Sequence, residues 1–423
     1  MIRYFYFRMS NFAELLSMSN NSYTQVAEIL KSNDLFLKEG QYSDTNNLAI
    51  IKQKFTDDLS TLTETQKNLK GLIFDKTTLQ VVAPAVPVPV ETAGEHFDDA
   101  RLQLNESGIN YIQPAYDGVL FRFYYYNDHW NFSTNGMITP NKGWNSNRTF
   151  QDLISEATEN FPFENLDKTL CYYVILVHPD HHNVYAYSEV KLVITQVTHV
   201  GEGRNLTVAE ISEELARLNA THKWFELNLL EPTAEEFNRL LESEEMNRIE
   251  APISVVGWTV MDKKGNYYRF ESKNFQIAKQ LRANTPDVRK IWIRIRNNSE
   301  LQDTYMKFFP GDHAVFRDMS RRFGELVRTF YSQYGRRYKL GEYMLHHSRH
   351  VKAMGELHQI YLDRKSAGVN NREASISETD IHDFLNDKPD RELFYLINPD
   401  NIKPTYREVS ESTNKSHTHL VLE

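Results

Sequence analysis

The side chains best suited to binding a charged ligand lie in a basic stretch of the C-terminal third. Residues 317–352 contain nine Lys or Arg against three acidic residues, a local excess of six positive charges in a chain whose formal net charge is −9. Apolar residues recur close to helical spacing within this stretch, at Phe316, Met319, Phe323, Leu326, Phe330 and Tyr334. The pattern predicts a helix with a basic face for RNA phosphates or another polyanion. A solvated face that pairs with the acidic remainder of the chain is the alternative.

The residues that we assign to this face alternate with aromatic ones. The expected RNA contacts are Arg317, Arg321, Arg322, Arg328, Arg336, Arg337 and Lys339. Tyr331, Tyr338 and Tyr343 stand among or just beyond them, and stacking on aromatic rings is one way in which single strands are bound. Histidines at 346, 347 and 350 would add positive charge in mild acid.

A second group of candidates lies in the aromatic stretch from Tyr111 to Met137. Turn residues at Asp117-Gly118 and at Asn127-Asp128 separate three apolar, aromatic-rich segments, which predicts three strands joined by tight turns. Arg122 on the second strand is either a phosphate contact or a surface residue. Asp117-Gly118 is either part of a site or only a turn.

Two smaller groups also have two interpretations. His178, His181 and His182 follow an apolar strand, but neighbouring histidines point to opposite faces and no carboxylate cluster accompanies them, so a solvated turn is favoured over a metal site. Arg269 and Glu271 lie two residues apart on a predicted strand. They are either a phosphate-binding arginine beside a carboxylate or a plain surface ion pair.

Composition excludes several classes of protein. The length of 423 residues allows two or three domains, and 40% hydrophobic with 25% charged residues is ordinary for a soluble globular protein. The net charge gives no overall nucleic-acid signature. One cysteine, Cys171 in an apolar run, excludes an internal disulfide framework and reads as a buried hydrophobe. No apolar run approaches the length of a membrane span, so we expect a cytoplasmic, intracellular protein without a membrane partner.

The remaining patterns predict an α+β architecture. Capping boxes start helices at Thr149-x-x-Asp152, Thr207-x-x-Glu210 and Thr233-x-x-Glu236, and a hairpin turns at 263–266. From about Gln276 the pattern becomes helical. The expected domains are residues 1–275, with a helical segment over 1–60, a helical C-terminal domain over 276–404, and a flexible tail over 405–423.

Several short motifs, in order over roughly residues 65–275, resemble the bacteriophage-type RNA ligase family of covalent nucleotidyltransferases. The matching segments are Lys70-Gly71-Leu72-Ile73-Phe74-Asp75, Ala115-Tyr116-Asp117-Gly118, Ser133-Thr134-Asn135-Gly136-Met137, Val174-Ile175-Leu176-Val177-His178-Pro179-Asp180, Val256-Gly257-Trp258-Thr259-Val260 and Tyr268-Arg269-Phe270-Glu271-Ser272. The resemblance implies an antiparallel-sheet, ATP-grasp-like nucleotidyltransferase domain followed by an all-helical C-terminal domain. It also implies a role in RNA repair, including repair of cleaved tRNA, and possible viral origin.

The departures from the family pattern fall on its catalytic positions. Ala115 stands where the family has the lysine that attacks ATP and forms lysyl-AMP, and a methyl group cannot attack. Ile175 and Val256 replace glutamates, and Glu271 replaces a lysine that neutralises triphosphate charge. A single inactivating change would explain Ala115 alone, but not the other three. No catalytic residue is therefore expected to be intact.

The leading hypothesis is a ligase-like protein that has lost lysyl-AMP chemistry and binds RNA, with tRNA as one candidate, or a nucleotide. The resemblance assigns nucleotide binding to Asp117, Gly118, Arg122, Gly257, Arg269 and Lys273, the last taken to lie on the same strand face as Glu271. ATP and Mg²⁺ would be cofactors if this cleft is functional, and no resident metal site is expected. The alternatives are an active ATP-dependent RNA ligase with a displaced lysine, and a structural or inhibitory protein with a protein partner, in which the cleft would be filled by its own side chains.

Overall fold

A computed structural model of the chain describes residues 7–54, 62–85, 88–90, 92–94, 96–143, 148–181, 184–220, 222–283, 285, 287–342 and 348–398. Its contacts divide the chain into two compact units with a boundary between Ile277 and Ala278. The predictions about His182, Tyr343, His346, His347 and the tail over 405–423 lie outside the described residues.

The first unit begins with an antiparallel sheet of strand order β1-β2-β3-β4, which we call the N-terminal sheet. Successive side chains of a strand point to opposite faces. Ala49 and Ile51 accordingly pack against the first two helices, whereas Leu48 and Ile50 pack on Tyr124 of a second sheet. The elements are α1 (Phe7–Met18), α2 (Tyr23–Ser32), β1 (Leu35–Glu39), β2 (Leu48–Gln53), α3 (Glu64–Leu69), β3 (Ile73–Asp75) and β4 (Val81–Ala83).

The second sheet, the central sheet, has strand order β10-β9-β8-β6-β7. The next elements along the chain are α4 (His96–Ser107), β5 (Ile109–Pro114), β6 (Val119–Tyr126), β7 (His129–Thr134), α5 (Phe150–Ala157), β8 (Leu170–Val177), β9 (Lys191–His199), β10 (Arg204–Asn205), α6 (Val208–Leu218) and β11 (Phe225–Glu226). Helices α5 and α6 contribute Leu153, Ile154, Ile211 and Leu215 to the core on one face. All eight residues of β8 are buried, since both faces of this central strand are covered.

The third sheet has strand order β13-β12-β5 and completes the first unit. Its remaining elements are α7 (Ala234–Leu241), α8 (Glu244–Asn247), β12 (Gly257–Asp262), β13 (Tyr267–Glu271) and α9 (Lys273–Arg282). Ile112, Val260 and Phe270 of the three strands pack with Leu104 and Phe237 of α4 and α7. The boundary between the units falls within α9.

The described part of the second unit contains helices and no strand. These are α10 (Val288–Ile295), α11 (Ser299–Phe308), α12 (His313–Lys339), α13 (Ser348–Ser366), α14 (Asn371–Ala374), α15 (Glu378–Asn386) and α16 (Asp390–Ile397). Helix α12 has 27 residues, and its buried side includes Phe316, Met319, Phe323 and Phe330. None of the described helices of the chain is long and apolar enough to span a bilayer.

The α+β prediction is confirmed, with two corrections in detail. β11 pairs in parallel with β9, so the sheets are not purely antiparallel. The pattern Ser22-x-x-Gln25 also predicts a capped helix start, and Ser22 does precede α2, but its side chain makes no capping hydrogen bond. The capping boxes at Thr149, Thr207 and Thr233 are present. Cys171 is fully buried, and burial raises the pKa of its thiol to about 12, which confirms that it acts as a core residue.

Candidate functional site

Ala115–Gly118 is not the hairpin turn that the sequence predicted. β5 before it pairs with β12 of the third sheet, and β6 after it pairs with β7 and β8 of the central sheet. The segment is therefore a crossover between two sheets. Ala115 is 95% buried, and its N–H donates to the carbonyl oxygen of Gly257 at 2.8 Å. Local turn chemistry is the same for a hairpin and a crossover, so the sequence could not distinguish them.

The Asp117 carboxylate is held by backbone groups of another segment. Its Oδ2 accepts hydrogen bonds from the N–H groups of Val184 at 2.7 Å and Tyr185 at 2.8 Å. The Asp117 N–H donates to the Tyr187 hydroxyl at 2.9 Å. Burial raises the pKa of Tyr187, so this phenol stays protonated. Residues 184–187 thus lie against the crossover, and no local pattern of residues indicates this contact.

Gly118 is required by a close approach to β8. A β-carbon at this position would lie 2.5 Å from the Leu176 carbonyl oxygen and 2.7 Å from the Ile175 Cγ2. Ile175 is buried in an apolar cluster with Val177 and Val193. Tyr116, Leu120 and Tyr187 pack against that cluster. The face of β8 next to the crossover is therefore occupied by side chains of the protein itself.

The Val256-Gly257 pair lies at the start of β12, directly beside Ala115. Val256 is 5% exposed, and its carbonyl oxygen accepts the Ser272 N–H at 2.9 Å. Gly257 has φ +145, and a β-carbon there would lie 2.0 Å from the Phe270 carbonyl oxygen. Gly257 is thus explained by strand packing, without a ligand.

Arg269 and Glu271 form an ion pair at the end of β13. Arg269 Nε donates to Glu271 Oε1 at 2.9 Å, and Arg269 Nη1 donates to the Tyr116 carbonyl oxygen at 3.2 Å. The two side chains are only 24% and 13% exposed, so the pair is not the plain surface contact considered above. Burial alone would lower the pKa of Arg269, but the Glu271 charge outweighs it and the pKa is raised.

Two residues assigned to nucleotide binding are placed differently from the expectation. β13 ends at Glu271, and Lys273 is the exposed first residue of α9, so it does not share a strand face with Glu271. Arg122 is fully buried rather than on the surface. Its guanidinium donates to the carbonyl oxygens of Gly71 at 2.8 Å and Pro84 at 2.7 Å, and to Ser133 Oγ at 3.1 Å. It ties the N-terminal sheet region to β7 and is not available to a phosphate.

Among the described lysines, Lys191 acts on the crossover, and it does not have the character of a displaced nucleophile. Lys191 on β9 is the one whose charge acts on Tyr116, and its Nζ lies 3.3 Å from Glu226 Oε1. Burial alone would lower the pKa of Lys191, but the Glu226 carboxylate outweighs this and raises it. A nucleophilic lysine requires a lowered pKa, so Lys191 is poorly suited to attack a phosphate.

The described part of the histidine turn is buried, not solvated as the sequence predicted. His178 and His181 are buried. The His178 Nδ1 accepts the Asp180 N–H at 3.0 Å, and its Nε2 lies 3.3 Å from Glu156 Oε1. Among the residues that the structure describes, no group of three or more His, Cys, Asp or Glu side chains could hold a metal ion.

These residues do not fit ATP and Mg²⁺. A magnesium ion with a triphosphate requires carboxylate or water ligands and basic groups that are free to contact phosphate. Here the Asp117 carboxylate is bound by backbone N–H groups, and Glu271 is paired with Arg269. Ile175 and Val256 contribute only apolar surface.

In the second unit, some basic residues of α12 form ion pairs or ring contacts and others do not. Arg321 contacts Asp318 and Glu325 at 2.6 and 2.7 Å, and Arg322 contacts Asp318 at 2.6 Å. Arg336 pairs with Glu342 at 2.5 Å. Arg337 lies 5.4 Å above the ring of Tyr338.

The three unpaired residues of α12 are Arg317, Arg328 and Lys339, which we call the α12 row. All three are exposed, and none has an ion pair with another residue of the described ranges. They are spaced by eleven residues, which is close to three helical turns, so they lie along one side of the helix over about 33 Å. Tyr331, 45% exposed, lies on the same side.

Solved structures with a detectable likeness to the chain include RNA and DNA ligases. A Naegleria gruberi RNA ligase mutant with AMP and Mn is 15% identical over 46% of this chain and only 59% of its own length, with a TM-score of 0.32. Another mutant of that ligase, with ATP and Mn, is 13% identical over 58% of this chain and 76% of its own, with a TM-score of 0.34. A putative ATP-dependent DNA ligase from Aquifex aeolicus is 14% identical over 74% and 81% of the two chains, with a TM-score of 0.40.

The chain matches no protein-family model and no curated protein in sequence. Likenesses this distant transfer no residue's role to this chain.

Proposed function

We propose that this protein binds RNA through the α12 row and forms no covalent AMP adduct. The observation that carries the proposal is the exposure of Arg317, Arg328 and Lys339 without an ion pair among the described residues. Basic side chains that are not neutralised internally release counterions when they contact phosphates, and this release drives nucleic-acid binding.

The loss of ligase chemistry is supported by the surroundings of Ala115. The position that the resemblance assigns to a nucleophile carries a methyl group, and the nearby Asp117 is bound to residues 184 and 185. Restoring a lysine at 115 would not free Asp117 or return the missing carboxylates. The apolar cluster around Ile175 removes the need for a wet, charged pocket.

Intact-mass measurement after incubation with ATP and Mg²⁺ tests the absence of adenylylation. We expect no AMP adduct on the unmodified chain or on Ala115→Lys. An adduct on the unmodified chain would refute the loss of chemistry. An adduct on Ala115→Lys alone would show that the missing lysine is the one change that prevents adenylylation. That result would contradict the proposal that the surrounding site has also lost this chemistry.

Fluorescence anisotropy with labelled single-stranded RNA tests the α12 row. The variant Arg317→Gln/Arg328→Gln/Lys339→Gln should bind at least tenfold more weakly, and the slope of log K against log salt should fall by about 2. The matched control is Lys307→Gln/Arg372→Gln/Arg391→Gln, which removes the same charge from exposed positions elsewhere in the second unit. Equal losses in both variants would contradict a specific role for the row.

A structural or inhibitory protein is the second candidate, and one observation favours it. Tyr116, Leu120 and Tyr187 of the chain itself cover the apolar cluster at Ile175, as expected for a cleft that no longer binds a ligand. If the unmodified chain binds neither RNA nor ATP, this candidate replaces RNA binding.

A further inference from the structure

A group of lysines lies on the N-terminal sheet, outside every site described above. Lys52 of β2 is directly opposite Phe36 of β1, and Lys38 of β1 is directly opposite Ile50. Because alternate residues of a strand share a face, Lys38, Lys52 and Phe36 lie on the same face of this sheet. Phe36 is 42% exposed, so this end of the face is open to solvent.

The loop after β7 lies beside Lys52 of this group. Lys52 Nζ is 3.5 Å from the place where a β-carbon at Gly136 would stand. The β1–β2 connection is joined to the same loop, since Asn141 Nδ2 donates to the Tyr42 hydroxyl at 2.7 Å. A shallow, open depression lies between the two segments, lined by Lys38–Tyr42, Met137–Thr139 and Asn141, and the room inside it for the centre of a water molecule is only about 20 Å³.

The other lysines of this region act electrostatically on Lys52. Burial, and then the positive charges of Lys38, Lys142 and Lys70, lower the pKa of Lys52. Burial likewise lowers the pKa of Lys70. Three positive charges close enough to act on Lys52 disfavour its charged form, and a bound anion would compensate this repulsion.

The acidic residues nearby do not neutralise this group. Glu39 also lines the depression, but its carboxylate accepts from the Tyr23 hydroxyl at 2.7 Å and contacts Lys76 at 2.6 Å. Asp44 in the β1–β2 connection is exposed. Within the described ranges, none of Lys38, Lys52, Lys70 and Lys142 forms an ion pair.

We propose that Lys38, Lys52, Lys70 and Lys142, with Phe36 and Tyr42, form a site for the backbone and bases of a single-stranded nucleic acid. We call it the lysine patch. The depression is too shallow to enclose a nucleotide, which suits a strand that passes over the surface. The exposed rings of Phe36 and Tyr42, 42% and 45% exposed, offer faces for stacked bases between the phosphate contacts.

The patch is independent of the α12 row, because it lies in the other unit and uses different residues. The test therefore uses the full chain with Arg317→Gln/Arg328→Gln/Lys339→Gln as background, so that residual binding reports on the first unit. The probes are labelled U15 and dT15 oligonucleotides, titrated by anisotropy at several salt concentrations.

In this background, Lys38→Gln/Lys52→Gln/Lys142→Gln should weaken oligonucleotide binding at least tenfold and lower the salt slope by about 2. The matched control Lys31→Gln/Lys223→Gln/Lys264→Gln removes three exposed lysines elsewhere in the first unit and should leave binding within about twofold. The double variant Lys38→Gln/Lys142→Gln avoids the half-buried Lys52 and should still lose at least fivefold if the triple variant does not fold.

Phe36→Ala distinguishes a nucleic-acid site from a simple anion site. It should weaken U15 and dT15 about fivefold or more through lost stacking and leave competition by tripolyphosphate unchanged, while Phe36→Trp should keep the affinity. Equal loss in the patch and control variants would overturn the proposal. Oligonucleotide binding that does not respond to Phe36→Ala, with tripolyphosphate competing as well as dT15, would overturn it too, because the patch would then be an inorganic-anion site.

Discussion

The sequence predicted ligand contacts from charged residues in two regions of the molecule. The first unit contains Asp117, Arg122 and Arg269, and helix α12 contains Arg317, Arg328 and Lys339. The structure treats the two groups in opposite ways. In the first unit each side chain is bound by backbone carbonyls, backbone N–H groups or an acidic neighbour. On α12 the row stays in solvent. A charged motif residue that is already satisfied internally is a structural element, and one that stays unpaired at the surface remains able to bind a ligand.

The strongest test of this comparison is Arg122→Met, which keeps the volume but removes the buried guanidinium. It leaves the Gly71 and Pro84 carbonyl oxygens without their donor, and we expect the free energy of unfolding to fall by about 3 kcal/mol. Chemical denaturation measures this. Arg101→Met, at a partly exposed position, should change stability by less than about 0.5 kcal/mol. The folded fraction of the Arg122→Met variant should bind RNA with unchanged affinity. If it loses RNA binding without losing stability, Arg122 contacts phosphate after all.

The second test is Asp117→Ala. Two backbone N–H groups lose their acceptor, so we expect the first unit to lose about 2 kcal/mol of stability. Hydrogen exchange of the Val184 and Tyr185 amides should accelerate, whereas Asp99→Ala on the exposed start of α4 should not affect them. If the Asp117 variant instead keeps its protected amides and loses only ATP binding, the carboxylate belongs to a nucleotide site.

A third test concerns the open side of α12. Gly324 and Gly335 lie beside the row, and a β-carbon at either would meet no atom within 4 Å. Gly324→Ala and Gly335→Ala should each stabilise the second unit by about 1 kcal/mol, because glycine is a poor helix former. Gly265→Ala, at φ +82, should have the opposite sign. Thermal unfolding of the three variants measures these effects. If Gly324→Ala or Gly335→Ala destabilises the protein, other atoms must pack against this side of α12.

The smallest expected effect is a pH dependence in the first unit. The Arg204 guanidinium, with the backbone N–H of Thr207, holds the pKa of Glu210 at about 2, below its usual 4.5. A lowered carboxylate pKa adds stability above pH 4.5 that is lost as the pH falls toward 2. The group is exposed, so the loss should stay under about 1 kcal/mol. Glu210→Gln keeps the capping box and should flatten the stability profile between pH 5 and 2; an unchanged profile would show that the ion pair contributes nothing.

Most secondary-structure elements could be predicted from the sequence because their signals are local. The capping boxes at Thr149, Thr207 and Thr233 and the hairpin that joins β12 to β13 depend on residues a few positions apart. The end of β13 could not be placed, and Lys273 was assigned to the wrong element. Arg122 was misplaced because nothing local shows that the carbonyls of Gly71 and Pro84 lie next to it.

The sequence by itself determined the α+β composition, the amphipathic α12, the buried Cys171 and the absence of a lysine at position 115. These properties follow from residue type and periodicity. Only the tertiary structure decided that Ala115–Gly118 crosses between two sheets, that residues 184–187 bind Asp117, and that Lys38, Lys52 and Lys142 come together. These contacts join segments tens of residues apart, and burial and pairing across the whole unit select them.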